Sequence, residues 1–122
     1  MVKKRKEKRA INYYLFEILF VIVNIIIVIL FYKNILWTTI FLFVLAIIGL
    51  VKWKSLRTFM IFLIGAVGGG IIEIICIYFG VWKYTVTNFF NIPFWLFILW
   101  GNATAIIYQI AKKIKEKKMR VK

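Results

Sequence analysis

The chain has 122 residues, 64% of them apolar, and 18 Lys and Arg against four acidic side chains give it a net charge of +14. So much apolar surface in so short a chain exceeds the roughly 45–50% of a soluble domain and excludes an ordinary water-solvated core. With no His, no Asp and one cysteine, Cys76, it also lacks an imidazole base, a disulfide framework and a metal-ligand cluster, so no cofactor or metal is implied.

In chain order, a basic segment over 1–10 precedes the first apolar run, Ile11–Phe31. That run is longer than the roughly 7–15 residues of a signal-peptide core and no small-residue cleavage site follows it, so a retained first helix is expected. Tyr32-Lys33-Asn34 reads as a tight turn, returning the chain antiparallel through a second run, 35–51. That run is short for a bilayer, and Trp37 and Trp53 at its ends suit the membrane interfaces. Lys52–Arg57 reads as a basic loop. A third run, 58–79, leads to the aromatic segment Gly80–Ile92, and a fourth covers 93–111, with Pro93 in its first turn and Asn91 as its cap. The basic segment 112–122 reads as an extension of that last helix, with Ile110, Ile114 and Val121 on one side.

Each run approaches the roughly 20 helical residues that cross a hydrocarbon core of about 30 Å. Strands are disfavoured by run length, by the lack of alternation, and because so few strands cannot close a barrel. The expectation is an all-α, four-helix transmembrane bundle in one domain. Sixteen of the 18 basic residues fall in 3–9, 52–57 and 112–122. Lys/Arg-rich loops stay on the cytoplasmic side, which predicts a cell (inner) membrane protein with both termini inside. The basic ends lie beside the spans, so anionic lipid headgroups are the expected partner, rather than nucleic acid. A homo-oligomer remains open.

Polar side chains are costly in hydrocarbon and mark candidate sites. Glu17 lies about 9 Å inside the cytoplasmic edge of its span by helical rise, within reach of basic side chains and water. Asn24 is about 10 Å, Glu73 about 9 Å and Asn102 about 13 Å from the outer ends of theirs. Glu73 is the candidate catalytic group, and Asn24 and Asn102 are candidate substrate contacts; the alternative is that they simply hydrogen-bond Glu73. Ala66, Gly69, Cys76 and Gly80 fall on the face of Glu73. Gly65/Gly69 and Ala66/Gly70 form a small-xxx-small pattern that lets another helix approach closely. Lys83 in the outer loop is a candidate cation for Glu73, and Cys76 reads as a small packing residue.

The outer segment carries Trp82 and Tyr84, then Trp95 and Trp100. An aromatic belt at headgroup level accounts for such residues, as does a binding mouth folded over Glu73. A membrane-embedded Glu73, Gly80-x-Trp82-x-Tyr84-Thr85, Ile92-Pro93-x-Trp95 and a Trp at the next turn, Trp100, resemble a group of small uncharacterised prokaryotic membrane proteins. More distantly, Glu73–Gly101 is similar to the hydratase-type carotenoid-biosynthesis membrane proteins and to membrane lycopene cyclases. What the resemblance implies is an isoprenoid ligand, a proton-donating role for Glu73, and Trp82, Tyr84, Trp95 and Trp100 lining the site. The competing expectations are a small four-helix proton-coupled cation transporter acting as a dimer, with Glu17 where small multidrug transporters carry a Glu, and a non-catalytic scaffold subunit.

Overall fold

The computed structural model describes residues 2–121, without the side chains of residues 2, 6–8, 10, 120 and 121. It is all-helical apart from turns and one isolated bridge, with α1 at Val2–Phe31, α2 at Ile35–Trp53, α3 at Leu56–Tyr78 and α4 at Trp95–Val121. Among the described residues, three segments are long and apolar enough to cross a membrane: Ile11–Phe31 of α1, Ile35–Trp53 and Leu56–Tyr78. The helix over 95–121 is not among them. Its helical apolar stretch is shortened by Asn102, Thr104, Gln109 and the lysines beyond 111, and these lower its hydropathy for a structural reason given below.

Local chemistry sets the helix ends. Asn34 caps α2, its side chain accepting from the Trp37 amide at 3.2 Å. The basic loop expected over 52–57 contracts to Lys54-Ser55. Lys54 closes α2 in the left-handed region (φ 47°), its amide donating to Leu50 O, and Ser55 caps α3 by accepting from the Thr58 amide at 3.2 Å. At the far end of α3 the Val81 amide reaches Cys76 O and the Gly80 amide reaches Ile77 O, both at 3.0 Å. This is a Schellman closure, and it needs the positive φ of Gly80 (75°). The turn reverses the chain, and Trp82 comes back over α3.

The cap expected at Asn91 is absent. Phe90 and Asn91 instead both take positive φ, 46° and 66°, in a tight turn closed by paired Phe89 and Ile92. Asn88 supplies the side-chain acceptor, taking the Phe94 amide at 2.9 Å. One turn of Pro93 O and Phe94 O bonds to the Leu96 and Phe97 amides precedes α4, so the regular helix starts two residues later than Pro93.

Short turns at Tyr32–Asn34 and Lys54–Ser55 make successive helices antiparallel. The molecule therefore has a basic end, with the start of α1, the α2–α3 turn and the end of α4, and a loop end, with the α1–α2 turn and residues 79–94. Among the described residues α1 and α3 do not pack together; α4 touches α1, α2 and α3, and its pairing with α3 is the most extensive. The outward faces of α1, α2 and α3 carry the exposed Ile, Leu, Val and Phe side chains, as lipid-facing helices do. The core cluster Leu42, Ile92, Trp95 and Leu96 sits at the loop end of α2 and α4.

Small residues explain the closeness of α3 and α4. A methyl group placed at Gly65 would overlap Thr104, at Gly69 the Trp100 indole, and at Gly70 the Phe97 ring. Ala66 is buried on the same helix. Reciprocally, Gly101 on α4 admits the Phe62 ring. Gly68, by contrast, faces open space.

Candidate functional site

The four polar residues singled out in the spans separate into three clusters. At the loop end, Glu73 is only 6% exposed and its carboxyl accepts three hydrogen bonds. Trp82 Nε1 donates to Oε2 at 2.8 Å, the Tyr84 hydroxyl to Oε2 at 3.0 Å, and Trp100 Nε1 to Oε1 at 3.2 Å. Two donors come from the loop after the Gly80 reversal and one from α4, so a single carboxyl pins the loop and α4 to α3.

The sequence spacing produces this geometry. Gly69 and Glu73 are one turn apart on one face of α3; Gly69 admits the Trp100 ring, and the ring's N–H then meets the carboxyl. Trp82 follows the Schellman turn by one residue and lies back over the helix end. Both carboxyl oxygens act as acceptors. No ammonium lies within ion-pair distance: among the described residues the one ion pair is between Lys113 and Glu17. Lys83, the expected cation, is exposed and does not pair with Glu73.

Tyr84 lies outside the helices, and its phenol is pushed well above the usual tyrosine range. Burial is the larger cause, followed by the hydrogen bond to Glu73 and the carboxylate's negative charge. The phenol thus remains a donor throughout the physiological range.

Trp95 does not join this group. Its ring packs in the core cluster with Leu42, Ile92 and Leu96, and its indole N–H is buried without a partner. Asn24 and Asn102 form a separate cluster near the middle of the bundle. Asn102 Nδ2 donates to Asn24 Oδ1 at 2.9 Å and to Leu42 O at 3.3 Å, and Asn24 Nδ2 donates to Phe20 O at 2.7 Å. The two amides tie α4 to α1 and α2 and do not hydrogen-bond Glu73. They also line a mainly apolar groove of about 330 Å³ between α1 and α4.

The third cluster is at the basic end. Glu17 is 1% exposed, and Lys113 Nζ lies 2.6 Å from its Oε1. The same ammonium donates to Tyr13 O at 2.8 Å and sits 4.9 Å from the Tyr13 ring centroid. Trp53, at the end of α2, packs its indole against Phe16 and Phe20, with centroids 5.7 and 5.3 Å away, over the space left by Gly49. Its N–H points to Glu17 Oε1 at 3.4 Å, a long contact.

Two further contacts escaped the sequence reading. Gln109 Nε2 donates to Thr58 Oγ1 at 2.6 Å, both side chains buried, and the Thr104 hydroxyl lies against Ile61 O on α3 at 3.3 Å. Trp100, Asn102, Thr104, Gln109 and Lys113 therefore face partners inside the bundle. The signal was present as polar residues at 102, 104 and 109 in an otherwise apolar helix, but their partners on other helices are 43 to 78 positions away. Among the described residues no three His, Cys, Asp or Glu side chains gather as a metal site would require. No family model, curated protein or solved structure matches the chain.

Proposed function

We propose that the chain crosses the bilayer with all of α1–α4, both termini cytoplasmic, and holds a lipid or isoprenoid at its outer end around Glu73. Trp100, Asn102, Gln109 and Lys113 of α4 each have a partner within the bundle, so this helix can be hydrocarbon-embedded despite its lower hydropathy. The excess of Lys and Arg at the end bearing both termini supports their cytoplasmic placement.

The observation that carries the ligand reading is a buried carboxyl held by three aromatic donors with no cation beside it among the described residues. Trp82 is 44% exposed and belongs to a loop, so it is the donor that a hydroxyl or ammonium headgroup can replace. Exposed Tyr78, Phe79 and Val81 surround the same helix end and offer apolar contacts for the lipid's tail. In this reading Asn24, Asn102 and Trp95 support the bundle rather than contact the ligand.

The proton-donating role implied by the resemblance to polyene-acting membrane enzymes is less well supported. Three donors already engage the two carboxyl oxygens, so a polyene would have to displace at least one of them to reach the group. A cation-transporter reading through Glu17 meets a similar difficulty, because the Lys113 ammonium already occupies the position a transported cation would take.

The test is a thermal-shift panel of phospholipids, isoprenols and carotenoids on the purified chain and on Glu73→Gln. A ligand that stabilises the wild type and not Glu73→Gln supports the proposal. Equal shifts in both, or none in either, would move the balance to a scaffold subunit. Cysteine labelling at positions 83 and 55 tests orientation: position 83 should react from outside, and reaction of position 55 from outside would reverse it.

A further inference from the structure

We infer that the groove between α1 and α4 at the basic end is a binding site for an anionic phospholipid. This rests on the membrane setting proposed above and is independent of the site at Glu73. The groove has a volume of about 760 Å³ and is lined by Tyr14, Ala111, Ile114 and Met119, with the exposed Lys115, Lys117 and Lys118 as its cationic rim. On α4, Ala111 lies three and four residues before Ile114 and Lys115, and these lie four and three before Lys118, so this face changes from apolar to cationic.

That change coincides with the edge of the hydrocarbon. Tyr14 lies three residues inside Ile11, where the apolar stretch of α1 begins, about 5 Å below the boundary by helical rise. Ala111 faces the same groove as Tyr14, and Lys118 lies seven residues, about 10 Å, further out. A headgroup layer is roughly 5–8 Å thick on each side of the core. The groove therefore begins beside acyl chains and ends among headgroups.

A soluble polyanion matches only the lysine rim, whereas a phospholipid matches both parts. Its phosphate meets three exposed lysines, and one acyl chain lies along Ile114, Ala111 and Tyr14. Lys113, the neighbouring lysine turned inward, is held by Glu17 and leaves the rim cations free of carboxylate competition from that residue. Glu116 is exposed on the same segment but does not line the groove.

The experiment reconstitutes the full chain in bilayers of phosphatidylcholine doped with phosphatidylglycerol, and counts lipids retained after extraction by native mass spectrometry. Lys115→Gln/Lys117→Gln/Lys118→Gln should lower phosphatidylglycerol retention about tenfold. The control Lys3→Gln/Lys4→Gln/Arg5→Gln removes equal charge from α1 and should leave retention nearly unchanged. Ala111→Trp, which fills the groove without altering charge, should lower retention as well. Equal loss in the two triple variants would reduce the effect to general electrostatics and overturn the site. So would equal retention of phosphatidylcholine, or displacement of the lipid by an oligonucleotide or an acidic peptide.

Discussion

Trp100 rests on Gly69: the indole fills the space that a side chain at 69 would occupy, and its N–H consequently reaches Glu73 one turn along α3. Packing and hydrogen bonding are therefore coupled at this site, and the glycine determines whether the carboxyl acquires its third donor.

Gly69→Ala forces a methyl into the Trp100 ring and should destabilise the protein by about 1–3 kcal/mol. Gly68→Ala, one residue earlier and facing open space, should be neutral or gain up to about 1 kcal/mol from the helix interior. Denaturation of both variants in the same detergent checks the pair. Equal losses would mean that the glycines matter for something other than the α3–α4 approach.

Glu73→Gln replaces one acceptor oxygen by a donor amide, so at least one of Trp82, Tyr84 and Trp100 loses its partner. A donor orphaned in this half-buried setting costs at most about 1–3 kcal/mol. The loop should loosen, with a changed tryptophan emission spectrum and faster proteolysis between residues 80 and 92. Unaltered emission and cleavage would show that the carboxyl does not hold the loop.

Lys113→Met strips the only ion-pair partner found for Glu17 among the described residues and leaves a buried charge, at a cost of about 3–5 kcal/mol. Adding Glu17→Gln to Lys113→Met should recover most of that loss, because the penalty lies in the uncompensated carboxylate. A double variant no more stable than Lys113→Met would contradict the pairing.

The phenol of Tyr84 titrates higher in the folded protein than its ordinary value of 10.0. The folded state binds that proton more tightly, so the stabilisation is complete below about pH 10 and declines as pH rises above it. Tyrosinate absorbance during alkaline titration should show one late-ionising tyrosine, missing in Tyr84→Phe, which should also lose less stability above pH 10. Identical titrations in the two proteins would place Tyr84 in an ordinary solvated environment.

The helical segments over 11–31, 35–53 and 56–78 were legible because apolar runs and turn residues act locally. Even so, Lys52 and Trp53 continued α2, since Lys54 could adopt the left-handed cap and Ser55 could start the next helix at once. The onset of α4 was less legible. Asn88, not Asn91, supplies the capping acceptor, because Asn91 is consumed by a turn whose shape depends on the pairing of Phe89 with Ile92. The pairing of particular polar residues was hidden for a different reason. Helical period gives the face on which Glu17, Asn24, Glu73 and Asn102 lie, but not which helix that face meets. Lys113 was one of seven basic residues in its tail, and only the packed position of α4 distinguishes it. Trp95 and Trp100 looked equivalent in the chain. Five residues apart on a helix, they point differently: Trp100 hydrogen-bonds Glu73, and Trp95 packs into the core cluster.

The central claim is that the aromatic-held carboxyl of Glu73 forms a lipid site at the outer end of the bundle. Native mass spectrometry of the protein extracted with its own membrane lipids tests it most directly, comparing the wild type with Glu73→Gln. The wild type should carry a discrete lipid or isoprenoid adduct that the variant lacks, while both retain the same anionic lipid at the basic end. Identical adduct spectra for the two proteins would contradict the account.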